Sequence, residues 1–523
     1  MLIKHIKANN KIYIQVDSDC DGYTSAAVLI NYLNCLFPSF VQNNITYKLH
    51  EKKIHGIAEN QIPEGTKLVI APDSSSNDYE IHQRLKEKGI DVLIIDHHEA
   101  DKVSEYACVI NNQLCDYPTK SLSGVGMVYK FCSHIDKLLG TNYADNYLDL
   151  TAVGIIADVM ELKDFETREI VDLGLSNIKN ELIKHMIHKN GRLDYPMTPF
   201  KVAFYIAPII NAVTRVGTLE EKFLLFEAML DFRALEILPS TKRGCKGQTE
   251  TRIEQATRTS TNVKNRQGRS RDAGFAMIEE IIEEKQLLDN KVLVIKLDKK
   301  HSIDKGLTGL IANQLMGKYQ RPVLVLNQYT DEDNNITWEG SGRGCADSEF
   351  SNFRGFLEDS QIGLYAQGHA NAFGFGVTDE NFSKLVEYIN SELADYSFTP
   401  QYKVDFIYSG YNIPNGEIED IAKWNRLWGQ GVSEPLVVIE RVSFGQVDIK
   451  YSSKTIRINV PGSEVTLVKF NSSEEEYNSL IAPTDSGGTI IDVVGTCSIN
   501  DWNGKPQILV EDFEVKEFLD YYF

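Results

Sequence analysis

Three short apolar runs, each ending in a carboxylate or an imidazole, constrain this chain more than any other feature. Ile12-Tyr13-Ile14-Gln15-Val16 leads into Asp17-Ser18-Asp19-Cys20-Asp21-Gly22. Leu68-Val69-Ile70-Ala71 leads to Asp73, and Val92-Leu93-Ile94-Ile95 leads into Asp96-His97-His98. Short runs rich in β-branched residues read as strands buried on both faces of a parallel sheet. In open sheets of that kind, ligands collect beyond the carboxyl ends of the strands. Three neighbouring strands would then aim five Asp and two His at one crevice. Carboxylates crowded together repel one another, and a bound cation is the usual resolution.

The 523 residues are enough for roughly three to four domains. A composition of 42% hydrophobic and 24% charged residues is that of an ordinary soluble protein. The start, Met1-Leu2-Ile3-Lys4-His5-Ile6-Lys7, is too short and too charged for a secretory leader, and no apolar run reaches the length of a membrane span. The chain is expected to enter its first strand almost directly, without an N-terminal extension. Its eight cysteines are scattered, with no CxxC pair. That argues against zinc knuckles and disulfides, and for a cytoplasmic protein, expected to be a monomer.

The formal net charge of −20 excludes a generic basic coat for nucleic acid. The distribution is uneven, however. Residues 241–271 carry Lys242, Arg243, Lys246, Arg252, Arg258, Lys264, Arg266, Arg269 and Arg271, opposed only by Glu250 and Glu254. Such an island is either a solvated helix face or a track for a polyanion.

Strand and helix patterns alternate from residue 1 to about 110. Strands are predicted near 45–49, 67–72, 91–96 and 107–110, with helices over 22–36 and 78–89. This is a doubly wound parallel pattern. Residues 124–230 turn helical, and the basic island reads as a long polar helix or a linker. Strands return at 292–297 and 322–326 around a helix over 306–319, forming a smaller α/β unit. Beyond residue 400, six short alternating runs separated by turn residues predict a small β-barrel, an OB-fold. Glu474-Glu475-Glu476 is placed there in a solvated loop. The fold class is α/β with a C-terminal β-barrel, and the expected domains are 1–232, 233–288, 289–398 and 399–523.

Hard oxygen ligands with one or two imidazoles favour Mn²⁺ or Mg²⁺. Asp17, Asp19 and Asp21, alternating on a strand-to-helix turn, can face two cations, and such a pair clamps an in-line phosphoryl displacement. Asp158 ends the small, apolar run Ala152-Val153-Gly154-Ile155-Ile156-Ala157. By pattern alone it is a helix-end acid. His185 and His188, three apart, sit beside Lys184 and Lys189 with no acid near, and read as helix surface.

These motifs resemble those of the DHH phosphoesterase superfamily, and the order of later motifs resembles its RecJ branch. Pro208-Ile209-Ile210-Asn211-Ala212-Val213-Thr214-Arg215 is similar to the next motif of that branch. Asn265-Arg266-Gln267 falls where the branch has its linking helix. Gly306-Leu307-Thr308-Gly309-Leu310-Ile311-Ala312, Gly340-Ser341-Gly342-Arg343 and Gly368-His369-Ala370-Asn371-Ala372-Phe373-Gly374 resemble its DHH-associated domain. Trp428-Gly429-Gln430-Gly431 and Asn500-Asp501-Trp502-Asn503-Gly504 resemble the borders of its OB-fold.

The resemblance implies a 5′-to-3′ exonuclease acting on single-stranded DNA with two divalent cations. One would be held by Asp21, Asp73, His97 and Asp158, the other by Asp17, Asp19 and Asp73, with Asp73 bridging. His98 would face the scissile phosphate, and Asp96 would orient a histidine. Asn211, Arg215, Ser341, Arg343, Gly368 and His369 would bind the strand and its 5′-phosphorylated end, and Arg258, Arg266 and Arg269 would guide it. A single-strand-binding protein is the expected partner.

Two departures stand out: Gln15-Val16 precedes the first acidic run where relatives have His or Gly, and Gln367 replaces the first Gly of a Gly-Gly-His. Trp338 and Trp502 could stack bases, although Trp502 also suits a barrel turn. Two other functions use the same superfamily frame. A nano-RNase or cyclic-dinucleotide phosphodiesterase would lack the terminal barrel and the basic connector. A non-catalytic replication scaffold would have lost acidic positions that are intact here.

Overall fold

The computed structural model describes residues 1–520, apart from 53, 192, 194, 332, 347, 483–486 and 501. The chain divides into two compact units. The first comprises Met1–Thr214, Leu219–Thr257 and Lys403–Phe523, and the second Arg215–Thr218 with Arg258–Tyr402.

The first unit opens on a five-stranded sheet in the order Ile45–Leu49, Lys11–Val16, Thr66–Pro72, Asp91–Asp96, Cys108–Asn111. Every neighbouring pair in it is parallel. The apolar runs form its middle because their side chains are covered on both faces: Ile12, Ile14, Val16, Leu68, Val69, Ile70, Val92 and Ile94 are all fully buried. Strand order reverses between Lys11–Val16 and Thr66–Pro72, since the first connection runs one way across the sheet and the next runs the other. A crevice opens at such a switch point. Asp17 and Asp73 each follow one of these two strands, and Asp96 ends the strand beside them.

Helix Cys20–Leu36 follows the first strand, with Asp19 as its cap: Asp19 Oδ1 accepts the Gly22 N–H at 3.0 Å. It packs against helices Gly124–Leu139 and Leu148–Ala157 as well as the sheet, which buries it on nearly every side. Each of its buried Val, Leu and Ile side chains contributes about 1.5–3 kcal/mol, so the turn carrying Asp17–Asp21 sits on a rigid base. A short helix, Leu2–Lys7, precedes the first strand, where the sequence predicted none. It is fastened by a tertiary contact, His5 Nε2 to Asp91 Oδ2 at 3.0 Å.

The C-terminal part of the first unit is a seven-stranded sheet running Phe406–Ser409, Leu436–Gly445, Gly487–Ile499, Pro506–Asp520, Thr466–Lys469, Thr455–Asn459, Ile449–Ser452. Ile449, on the last strand of that order, shares one apolar cluster with Val437 and Ile439 on the second. The sheet therefore curls around a common core, as a small barrel does. The Glu474 run is not a loop. It starts the helix Glu474–Ser479, because Ser473 and Glu476 form a reciprocal capping box. This part abuts the helical segment after Asp158, where the Leu162 N–H donates to Gln430 O at 2.8 Å.

The second unit is built on a mixed five-stranded sheet in the order Tyr365–His369, Ala372–Thr378, Ile336–Arg343, Val323–Thr330, Leu293–Leu297. Helix Lys305–Tyr319 connects its one parallel pair. The basic island splits. Residues 241–248 form the turn of a ribbon, Ile237–Pro239 with Thr249–Thr251, rather than helix. The 33-residue helix Arg252–Glu284 starts only after it, because Gly244 and Gly247 take left-handed conformations in the turn.

Candidate metal centre

Three aspartates surround one imidazole at the crevice of the first unit. His97 Nε2 lies 3.3 Å from Asp73 Oδ1, 3.3 Å from Asp158 Oδ2 and 4.0 Å from Asp21 Oδ2. Asp158 reaches this point because helix Leu148–Ala157 ends there, with Asp158 as its C-terminal cap. Asp73 follows its strand in a left-handed conformation, φ +68°, which turns the side chain back over the sheet edge.

Asp73 Oδ1 and His97 Nε2 are buried, yet neither has a hydrogen-bond partner among the described residues. Buried polar atoms are otherwise almost always paired. Two lone-pair atoms aimed at each other across 3.3 Å are what a shared cation would satisfy. The electrostatics agree. Burial, then the charge of Asp19, pushes Asp21 up to about 6. Burial, then Asp21 and Asp19, pushes Asp158 up to about 8. Asp73 is driven well above the carboxylate range by burial and by Asp21, Asp19 and Asp17. Burial and the charge of His98 hold His97 down at about 4, so its ring is neutral and free to act as a ligand.

The remaining groups are held just as firmly. Asp21 accepts Ser123 Oγ at 3.0 Å, the Gly124 N–H at 2.7 Å and the Val125 N–H at 3.2 Å, so it caps helix Gly124–Leu139. Asp96 accepts from the backbone of His97 and His98 and, at 3.1 Å, from Ser76 N–H. Its Oδ1 also meets His98 Nδ1 at 2.8 Å. That bond, opposed by burial, holds the His98 imidazolium up to about 9. Burial alone would raise Asp96, but His98 holds it at about 2. Asn211 Oδ1 accepts the Cys20 N–H at 3.1 Å, inside the acidic turn, so it fixes the loop that carries the ligands. Three sets have ligand atoms within 4.8 Å of one another: Asp73, Asp96, His97 and His98; Asp21, His97 and Asp158; and Asp17, Asp19 and His55.

The sequence reading missed three contributors. Ser123 and Gly124 are one: a Cβ on Gly124 would lie 2.2 Å from Asp73 Oδ1. Ser123 before an apolar helical run is a cap signal, and only that signal hinted at them. Gly154 is another, since a Cβ there would lie 2.6 Å from Asp21 Oδ1. His55 is the third, and no local pattern marks it.

The other predicted residues lie in the second unit. Ser341 Oγ meets Thr308 Oγ1 at 2.8 Å, and Arg343 beside it donates to Gly342 O at 2.7 Å. Burial, then the charge of Arg215, lowers the Arg343 guanidinium, so the two cations lie within each other's field. An anion would relieve that repulsion. Gly368, φ +133°, precedes exposed His369, whose strand pairs with Ala372–Thr378, and Gly368 O accepts Arg354 Nη1. On the long helix, Arg266 and Arg269 are exposed and Arg258 half-buried. Arg266 also donates to Val216 O at 3.1 Å.

Two members of the basic island are structural instead. Arg252 is buried against Glu227 at 2.6 Å and Glu236, and Lys242 pairs with buried Glu250 at 3.3 Å. Trp338 is no base-stacking platform. It is buried, with its indole N–H on Asp379 at 2.7 Å. Trp502 is exposed in a hairpin turn. His185 and His188 lie on helix Glu181–Lys189 and join no metal-binding set among the described residues. All eight cysteines are free, and no helix among the described residues is long and apolar enough to cross a membrane.

Comparison with known proteins places this geometry. Residues 11–155 match the DHH family, N-terminal domain, and residues 415–512 match the RecJ OB domain. A putative SPbeta prophage-derived single-strand DNA-specific exonuclease, YorK, of Bacillus subtilis is 36% identical across 98% of this chain and 89% of its own. The single-stranded-DNA-specific exonuclease RecJ of the same organism is 29% identical across 98% of this chain and 62% of its own. The crystal structure of RecJ in complex with Mn²⁺ from Thermus thermophilus superposes with a TM-score of 0.72 at 19% identity, covering 99% of this chain and 70% of that one. A second Thermus structure, in complex with Mg²⁺, gives 0.66 at 18% identity, over 99% and 69%. With its acidic crevice, its curled C-terminal sheet and this kinship across nearly its whole length, the chain belongs to the RecJ family of single-strand-DNA-specific exonucleases.

Proposed function

We propose that this protein degrades single-stranded DNA from the 5′ end, using two divalent cations, Mn²⁺ or Mg²⁺. The observation that carries the metal chemistry is the pair of buried, unpartnered atoms, Asp73 Oδ1 and His97 Nε2, facing each other at 3.3 Å. The donor set fits hard cations: carboxylates supply most of the ligands and a neutral imidazole the rest. Asp21, Asp73, His97 and Asp158 would hold one ion, and Asp17 and Asp19, with Asp73 shared, the other. When bound, the pair supplies Lewis acidity, lowering the pKa of an attacking water and neutralising charge on the scissile phosphate.

The chain's own groups do the rest. His98 is an imidazolium up to about pH 9 and donates to the phosphate oxygens as their charge grows. Asp96 keeps that ring charged and oriented. In the second unit, Ser341, Arg343 and Arg215 hold a phosphate of the strand, with Gly368 and His369 beside them as further contacts. Arg258, Arg266 and Arg269 attract the backbone along the helix. A polymer substrate rather than a dinucleotide is supported by the RecJ OB domain match. In this reading, residues 1–232 are the catalytic domain, 233–288 the connector, 289–398 the phosphate-holding domain and 399–523 the strand-binding domain. A monomer acting in the cytoplasm beside a single-strand-binding protein completes it.

The test is digestion of end-labelled DNA and RNA oligomers of several lengths with Mn²⁺, Mg²⁺ or chelator. Mononucleotides should appear first from the 5′ label, on single-stranded DNA, and not in chelator. Release from the 3′ label first, or turnover in chelator, overturns the reading.

A further inference from the structure

His55 belongs to neither set of ligands assigned above. It lies in the crossover between strands Ile45–Leu49 and Thr66–Pro72. Its Nδ1 stands 2.5 Å from Asp17 Oδ2, and His55, Asp17 and Asp19 present their ligand atoms within 4.8 Å of one another. Asp17 is buried while the imidazole is half exposed.

The segment carrying His55 is fastened on several sides. The ammonium of Lys222, itself 1% exposed, donates to His50 O at 3.1 Å and Glu51 O at 2.8 Å. His50 Nε2 meets Gly56 O at 2.9 Å, and Ser18 Oγ donates to Ile54 O. The Gly56 N–H points at Asp17 Oδ1 from 3.3 Å, and the Ala58 N–H donates to Gln15 Oε1 at 3.1 Å. Gln15, a departure noted in the sequence, thus anchors this crossover. Burying a lysine to pin two carbonyls is costly unless the geometry it fixes matters.

Asp73, only 2% exposed and read above as the shared ligand, keeps Oδ1 unpartnered among the described residues. The imidazole that reaches the acidic pair on this side of the crevice is that of His55.

We infer that His55 is a ligand of the second cation, completing with Asp17 and Asp19 a site that favours Mn²⁺ over Mg²⁺. The inference rests on the two-cation reading above. Its physical basis is ligand softness: Mg²⁺ takes oxygen ligands and keeps its waters, whereas an imidazole nitrogen suits a transition metal. The three donors come from a strand end, a helix cap and a crossover, so only the fold assembles them.

The experiment is Mn²⁺ titration of the full chain without DNA, with free Mn²⁺ read by electron paramagnetic resonance, on wild type, His55→Ala and His55→Asp. Wild type should bind two ions. His55→Ala should keep one and bind the other more than about 100-fold more weakly, since removing even an outer hydrogen-bond partner costs about 10–100-fold. His55→Asp should regain a second ion while its preference for Mn²⁺ over Mg²⁺ shrinks. Two unchanged ions in His55→Ala overturn the inference and leave the two-cation reading standing. Fewer than two ions in wild type overturn that reading itself. The half-exposed position of His55 lets both variants fold, which circular dichroism checks.

Discussion

His98 Nδ1 and Asp96 Oδ1 lie 2.8 Å apart, and this contact keeps the His98 imidazole protonated at neutral pH. The sign follows from the shift. His98 is raised to about 9, so it is charged below that value and loses its charge as pH rises through it. Asp96→Asn keeps an oxygen acceptor but removes the carboxylate charge, and the ring should fall back towards the ordinary value near ~6.5. The pH–rate profile should then lose activity on a limb lying well below that of wild type, and the rate at pH 8 should drop roughly 10²-fold. An alkaline limb left in place would show that another group titrates there.

Asp73 combines burial, like-charge neighbours and an unpartnered oxygen. Asp73→Asn should abolish cleavage while leaving strand affinity largely intact. It should also stabilise the metal-free protein, because it removes a carboxyl group whose ionisation burial and its acidic neighbours oppose, and Asn tolerates the left-handed backbone there. In chelator, Tm should rise, by about 2 °C or less for each ~1 kcal/mol recovered in so large a unit. Calorimetry in EDTA reads this directly, and an unchanged or lower Tm counts against the crowding argument.

Gly124 is a glycine because Asp73 occupies the space a side chain would need. Gly124→Ala puts a Cβ 2.2 Å from Asp73 Oδ1, and the carboxylate has to give way. Since misplacement by ~1 Å costs about 10²-fold, kcat should fall by at least that much with Mn²⁺ affinity reduced in parallel. Helix Gly124–Leu139 should still form, as its circular dichroism will report.

The cations of the long helix carry a separate prediction. Neutralising Arg258, Arg266 and Arg269 together should weaken binding of long strands and reduce the slope of log affinity against log salt by about 2, since each phosphate neutralised on a single strand adds roughly 0.7 to that slope. Binding measured from 50 to 200 mM salt gives the slope. The same slope in the triple variant would make this face a solvated surface. Arg252→Gln should behave differently: its partners are Glu227 and Glu236, so it should cost stability rather than affinity.

The sequence by itself determined the sheet and the acids at its edge. Fully apolar β-branched runs can be satisfied only by burial on both faces, and the residue after such a run must then emerge at the carboxyl edge, as Asp17, Asp73 and Asp96 do. The order of strands, helices and barrel was legible for the same reason: period and turn residues are local. Where a local signal was overlooked, the reading failed, as at the capped helix Glu474–Ser479. Tertiary structure alone decided which groups meet. His55 reaches Asp17 across 38 residues, and Asp158 reaches His97 from the end of a later helix, through contacts that leave no periodicity in the chain. It also separated Arg252 from the other cations of its helix, and Trp338 from the surface. Sign and burial are set by neighbours brought in from elsewhere, and neighbours are a property of the folded chain.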